Sequence, residues 1–315
     1  MTRLRRLAFA SPLVLVLVSA SSDAWKNEVS ITIQGDRRII TANGIPDHPT
    51  GQFPGRGNPN RISPQEYRFT VPAHPQAAAK NTPLGMHPFG VAVNGVAMDP
   101  GAAEWWQGDP STGWQYEPLS GVIDLGTDDS NAHVQPNGAY HYHGQPTDLL
   151  KRLTGSKEAM VLVGWAADGF PIYNNIGHKD PKDAASPWVE LKSSYQVKKG
   201  TRATSPFGAY DGSFVADYEW VDGAGDLDES NGRTAATPEH PEGEYHYVIT
   251  SQFPYIPRQF KGTPDPSFLR HGPPGGPGGP GRPGGGRRGE RRRKGGPGLF
   301  LPPGFPPPPL PPRGE

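Results

Sequence analysis

The sequence predicts a mainly β fold: a single sandwich- or barrel-like domain with long loops and few short helices. Three observations carry this. Short segments alternate apolar and polar residues with a period of two, as half-buried strands do. Asn-Gly and Asp-Gly pairs separate some of them, which is a hairpin signal. Glycine and proline are abundant, 42 and 39 of 315 residues, and they punctuate the chain into short elements and irregular connections.

The elements follow in chain order. Val29, Ile31 and Ile33 alternate with polar residues and predict a half-buried strand, and a turn at Gln34-Gly35-Asp36 leads into Arg38-Ile39-Ile40-Thr41. Asn94-Gly95 separates Phe89–Val93 from Val96–Met98, and Asp168-Gly169 separates Met160–Trp165 from Phe170–Tyr173. Both read as hairpins. The best helix signal is Thr147–Leu153, with Thr147 as N-cap, Asp148 in the first turn and Gly155 just past the end. Leu149, Leu150 and Leu153 give it one apolar face. Glu244–Thr250 alternates again, with Glu244, His246 and Val248 on one side and Tyr245, Tyr247 and Ile249 on the other. Residues 45–60 and 222–243 read as long surface loops, where function often sits. Tyr-His-Tyr occurs twice, at 140–142 and 245–247. Two such strands could neighbour one another in a sheet, but two short matches do not establish a duplication.

The ends of the chain read differently. Arg3, Arg5 and Arg6 precede an apolar stretch from Leu7 to Val18. Val18-Ser19-Ala20 and Ser22-Asp23-Ala24 both offer a small-residue cleavage pattern, so residues 1–24 read as an export signal peptide. The stretch is too short to span a bilayer comfortably. The expectation is a secreted, periplasmic or cell-surface protein with no transmembrane segment after signal removal. A retained N-terminal anchor is the alternative. Residues 271–315 are almost wholly Gly, Pro and Arg. Such a stretch buries too little apolar surface to offset its ordering entropy, which predicts a disordered tail with polyproline segments. Residues 25–270 remain as the β domain.

A formal net charge of zero hides a split, for the tail holds eight Lys and Arg against two acids and leaves the domain acidic. A basic tail is either solvated or adhesive toward an anionic surface or polysaccharide. Its only aromatics are Phe300 and Phe305, so base stacking and specific nucleic-acid binding are not expected. There is no cysteine. Exported domains often carry disulfides, so this one relies on its core, a metal, or both. Any metal site must use His, Asp, Glu or backbone oxygen.

Residues 131–143 carry the densest chemistry. Three of the ten histidines, His133, His141 and His143, fall within eleven positions. Residues two apart on a strand share a face, so His141 and His143 belong together. Pro136 and Gly138 suit a three-residue hairpin loop, a type I turn closed by a left-handed Gly138. In that register Gln135 faces Ala139, His133 faces His141, and all three imidazoles line one face. A two-residue Asn137-Gly138 loop slips the register by one and sends His133 to the other face. The proline favours the first register.

At these residues the chain resembles the YHYH-domain proteins, exported and mostly bacterial, named for the string found here as Tyr140-His141-Tyr142-His143. The similarity extends to Asn43-Gly44-Ile45-Pro46-Asp47-His48, Pro88-Phe89-Gly90-Val91-Ala92 and Asn131-Ala132-His133-Val134-Gln135-Pro136. It continues through Asp168-Gly169-Phe170-Pro171-Ile172-Tyr173, Leu227-Asp228-Glu229 with Asn231-Gly232-Arg233, and Tyr245-His246-Tyr247, covering most of residues 27–262. The resemblance brings no established activity with it. Relatives often carry cysteines at places taken here by residues near Asp129 and by Ser230. If those cysteines pair, the resemblance implies that the 129–143 hairpin lies beside the 226–247 segment, which adds His246 to His133, His141 and His143.

The leading hypothesis is a zinc or copper ion held by His141 and His143, with His133 and His246 as further ligands. The plainer reading is a strand whose histidines hydrogen-bond to neighbours and whose tyrosines pack. Asp168 is a possible outer-shell acceptor for a ligand imidazole, or simply a turn residue. The acidic loop with Asp222, Asp226, Asp228, Glu229 and Asn231 suggests calcium less strongly, because its spacing fails the EF-hand pattern. Trp105, Trp106, Trp114 and Tyr116 form an aromatic cluster that either packs under a loop or contacts sugars. Exposed aromatics with a basic tail make a non-catalytic cell-surface or extracellular-matrix binding module the alternative function. No His-Glu-x-x-His, Gly-x-Ser-x-Gly or phosphate-loop pattern is present. Catalytic residues and any enzymatic reaction stay unassigned.

Overall fold

The computed structural model describes residues 25–155 and 157–269. The signal-peptide reading of residues 1–24 and the tail reading of 271–315 lie outside them. Along the chain the strands are β1 (Val29–Gln34), β2 (Arg37–Ala42), β3 (Tyr67–Pro72), β4 (Thr82–Pro83), β5 (Gly90–Ala92) and β6 (Ala97–Met98). They continue as β7 (Ala132–Val134), β8 (Tyr140–Tyr142), β9 (Leu162–Ala166), β10 (Pro171–Tyr173), β11 (Ile176–His178) and β12 (Trp188–Glu190). The last are β13 (Tyr195–Val197), β14 (Tyr218–Trp220), β15 (Gly232–Ala235), β16 (Glu244–Val248) and β17 (Gln259–Phe260). The fold is mainly β, as the alternation predicts, and its sheets do not close into a barrel. No helix among the described residues is long and apolar enough to cross a membrane.

One eight-stranded sheet dominates, in the order β15-β16-β10-β9-β5-β6-β8-β7. That order is a palindrome. β5 and β6 form a hairpin around Asn94-Gly95, and β9 and β10 form one around Asp168-Gly169. Each inner hairpin is extended by a parallel partner, β8 beside β6 and β16 beside β10, with Met98 opposite Tyr142 and Ile172 opposite Tyr247. Each of those is flanked by an antiparallel outer strand, β7 or β15. The two halves meet where β5 and β9 pair, Gly90 with Ala166, Val91 with Trp165 and Ala92 with Gly164. This register is its own image about the Val91–Trp165 pair. The closeness of the seam requires glycine: a Cβ on Gly90 would lie 2.5 Å from Trp165 O, and one on Gly164 would lie 2.2 Å from Val91 O. The duplication that two short string matches could not establish is therefore present in the sheet.

Residues from this sheet and from the small one build the main core. Phe89, Val91, Tyr140, Tyr142, Ile172, Tyr247 and Ile249 are buried together with Ile40 and Val71 from the three-stranded β1-β2-β3 sheet. Burying such side chains stabilises by about 1.5–3 kcal/mol each before entropy is counted. The tyrosines of Tyr-His-Tyr enter this core on one face of the sheet, beside Met98 and Ile172, and the histidines lie on the other, in register with Ala97 and Val91. The helix α1 (Thr147–Thr154) docks Leu149, Leu150 and Leu153 on the same core. Its end at a left-handed Gly155 matches the expectation. Its start does not: Pro146 is the N-cap residue and no side chain caps the helix.

Two further expectations are corrected. β1 was expected to be half-buried, yet all six of its residues are exposed. It is the outer strand of the small sheet, so its alternation has no core behind it. The long loop expected over residues 222–243 is interrupted, for Gly232–Ala235 forms the outer strand β15. Its Gly-Arg-Thr-Ala sequence carries no apolar alternation, because it is stapled by backbone pairing to Tyr247–Glu244.

Candidate metal centre

The β7–β8 hairpin takes the three-residue loop. Gln135 N donates to Ala139 O at 2.9 Å, Gly138 N donates to Gln135 O at 2.8 Å, and Gly138 is left-handed with φ 87°. Pairing is Ala132 with Tyr142, His133 with His141 and Val134 with Tyr140. The ladder is closed beyond β8 by His143 N donating to Asn131 O at 2.8 Å.

Asp128 builds the entry to this hairpin, a role the sequence reading missed. Its Oδ1 accepts from Ser130 N at 3.0 Å and Ala132 N at 3.3 Å, and its Oδ2 accepts from Tyr140 Oη at 2.8 Å. An Asp whose side chain accepts two residues on is ordinary turn chemistry, so Asp128-Asp129-Ser130-Asn131 held a readable signal.

The result is a near-equilateral triangle of imidazoles. Ring centroids of His133, His141 and His143 are 4.7 Å apart in all three pairs. One candidate ligand nitrogen from each lies within 4.8 Å of the others. His141 and His143 are buried, and His133 is half-buried. His133 Nδ1 is 2.8 Å from Leu125 O and His141 Nδ1 is 3.2 Å from Ala139 O. A carbonyl only accepts, so both rings carry their proton on Nδ1 and keep the Nε2 lone pair free. His143 has neither ring nitrogen in a well-formed hydrogen bond. Leaving one such buried group unsatisfied costs about 1–3 kcal/mol, and a metal ion is one partner that removes the cost.

Electrostatics keep the rings neutral. Burial is the main cause in each case. It pushes His141 down to about 3, helped by neighbouring His133. It lowers His143 well below the usual range, helped by His141, His133 and Arg258 and opposed by the Pro100 carbonyl. It lowers His133 too, against the Leu125 carbonyl, Glu104 and Asp128. Neutral imidazole is the ligating form. Arg258 is itself held in place by Glu117, whose Oε2 accepts from Nη2 at 2.5 Å, and by Pro100 O, which accepts from Nη1 at 2.7 Å. Nothing in the local sequence links Arg258 or Glu117 to the hairpin.

Nitrogens held about 2.0–2.1 Å from a tetrahedral zinc are about 3.4 Å from one another. The observed spread asks only for small side-chain rotations. Among the described residues no fourth His, Asp or Glu joins the three.

His246 does not join them. It lies on β16, with four strands of the sheet order between it and β8. The 129–143 and 226–247 segments are not paired; the contact near them is Gln145 Nε2 donating to Ile249 O at 3.2 Å. His246 instead sits 5.2 Å from the Tyr173 ring and directly opposite Arg233. In the palindromic sheet it is the counterpart of His141. Likeness of the two Tyr-His-Tyr strings reflects equivalence, not proximity.

Asp168 does not serve an imidazole either. Its Oδ2 accepts from Tyr247 Oη at 2.5 Å and Gly262 N at 2.8 Å, and its Oδ1 accepts from Phe170 N at 3.4 Å. It anchors a turn and a tyrosine in the core. The acidic 222–231 loop does not assemble a cation cage among the described residues. Asp228 is spent on Ser230 N, Gly232 N, Tyr245 Oη and Lys261 Nζ. The aromatic cluster packs rather than projects: the rings of Trp106, Trp114 and Tyr116 lie 6.2, 5.6 and 4.6 Å from Phe214. His48, which has no spacing partner in sequence, contacts Tyr142 Oη at 2.6 Å.

Fold and site together define a β protein with a buried three-histidine cluster on one hairpin. Residues 68–262 match the family described as YHYH protein, and the chain belongs to that family. No curated protein matches it. No solved structure matches it.

Proposed function

We propose that this protein binds one transition-metal ion, zinc or copper, through His133, His141 and His143. The observation that carries the reading is the convergence of three neutral imidazoles with two free Nε2 lone pairs and an unsatisfied His143. An all-imidazole set suits zinc or copper rather than calcium. Three protein ligands leave a position for water or another small ligand, the arrangement that permits metal-assisted hydrolysis or oxidation. Two fully buried rings and one half-buried ring make His133 the open side.

The basic N-terminal segment supports export, and export would put the ion outside the reducing cytosol. The basic tail is proposed to act separately, holding the protein to an anionic surface or polysaccharide. Deleting residues 271–315 should then reduce surface attachment and leave metal content unchanged.

The test is elemental analysis of protein loaded with zinc or copper and desalted. One equivalent is expected in the native chain and almost none in H141A with H143A. Equal metal in both proteins refutes the reading.

A further inference from the structure

The cradle that aims the three imidazoles is present twice. By register, Ala132, His133 and Val134 facing Tyr142, His141 and Tyr140 correspond to Gly232, Arg233 and Thr234 facing Tyr247, His246 and Tyr245. Hydrogen bonds repeat with the strands. Asp128 N donates to Ala132 O at 2.8 Å, and Asp228 N donates to Gly232 O at 2.8 Å. Asn131 and Asn231 share φ 53°. His143 N donates to Asn131 O at 2.8 Å, and Val248 N donates to Asn231 O at 3.0 Å. Tyr140 Oη donates to Asp128, and Tyr245 Oη donates to Asp228. Even the tautomer-fixing contact recurs, His141 Nδ1 with Ala139 O and His246 Nδ1 with Glu244 O, both at 3.2 Å.

We infer that Arg233, His246 and Val248 are a second, lapsed copy of the metal centre, which takes a transition-metal ion again once imidazoles are returned to two positions. The inference rests on the metal reading of the first copy for its choice of ligand. What remains of the second copy is specific. His246 is wholly buried, donates Nδ1–H to a carbonyl, and presents an Nε2 with no partner. Arg233 stands where His133 stands, its Nη2 donating to His178 O at 2.8 Å and its Nε unpartnered. Its fixed positive charge opposes any cation at His246. Val248 stands where His143 stands and packs with Leu191 and Leu227. The present chain therefore holds one ion rather than two, and His246 is not among its ligands.

The test uses the full chain loaded with copper(II), with copper counted by elemental analysis. The native protein is expected to hold one equivalent, and R233H with V248H two. A folded double variant holding no more copper than the native chain overturns the inference. If the native chain holds none and the double variant one, the reading of the first centre fails, and the claim that the second is its lapsed copy falls with it. If neither holds copper, both fail. Should V248H prevent folding within its apolar cluster, R233H alone still sets two imidazoles on facing strands. It is expected to take a second, weaker copper ion, and its absence overturns the inference. H246A should hold as much copper as the native chain; a folded H246A that loses its ion also overturns it.

Discussion

The hydroxyl of Tyr142 lies 2.6 Å from His48 Nε2, on the face of β8 opposite to the two imidazoles that flank Tyr142 in sequence. His48 Nδ1 is 2.8 Å from Pro49 O, so Nδ1 carries the proton and Nε2 accepts from the tyrosine. Asn94 Nδ2 donates to the same hydroxyl at 3.0 Å. The strand that carries the candidate ligands is thus pinned from behind. Y142F should cost about 1–3 kcal/mol, because the Asn94 donor and His48 acceptor lose a buried partner. Urea denaturation measures it. Metal content should stay at the native level, since no ligand is touched.

His143 makes the metal-free protein less stable than it need be. H143L replaces two unsatisfied nitrogens with apolar volume in a buried place. The metal-free variant should therefore unfold at an equal or higher urea concentration than the metal-free native chain. Added metal should stabilise the native chain by about 2.7 kcal/mol at a hundredfold excess over Kd, and the variant much less. Equal stabilisation of both proteins argues against His143 as a ligand.

Acid stability should depend on His246. Burial, joined by the Arg233 charge and opposed by the Glu244 carbonyl, holds it down to about 4 from an ordinary 6.5. Between those values the unfolded chain binds a proton that the folded one does not. Stability then falls as pH falls, by up to about 1.4 kcal/mol per pH unit. Asp168 works in the other direction. Burial raises it to about 6, so below that pH the folded chain holds the extra proton and gains stability. The two partly cancel, which makes the comparison with H246Q informative. Across pH 4 to 6.5, metal-free H246Q should lose less stability on acidification than the native chain.

The hairpin register should be sensitive at Gly138. Its left-handed φ disfavours any side chain, and a Cβ there would lie 1.9 Å from Ser63 Oγ. G138A should destabilise by more than about 1 kcal/mol. If the loop slips to relieve the clash, His133 leaves the face shared with His141 and His143. Weaker metal binding together with a lower melting temperature is expected. Loss of stability with unchanged affinity would show that the register survives.

The site was legible where local chemistry decides it. Pro136 and Gly138 specify a loop, the loop fixes a register, and the register brings His133 opposite His141. The inner hairpins were legible from Asn94-Gly95 and Asp168-Gly169 for the same reason. What was not legible depended on contacts distant in sequence. β15 is held by pairing to β16 and shows no pattern of its own. Arg258 reaches the centre from far along the chain. His246 falls away from the centre because Tyr-His-Tyr marks a symmetric position, and Asp-x-Ser-Asn at 128–131 and again at 228–231 was the further signal of that symmetry. Met98 answers to Ile172 and Ala97 to Pro171, equivalences that only the register reveals.

The outermost strand of the small sheet has a dynamic consequence. β1 leaves every residue exposed and is joined to the rest by its ladder to β2. Releasing it uncovers little apolar surface, so its opening free energy lies far below that of the eight-stranded sheet. Amide hydrogens of β1 should exchange with solvent long before those of β8, whose residues are all buried. β1 then opens while the imidazole triangle stays closed, and loss of the metal centre reports global unfolding rather than local breathing.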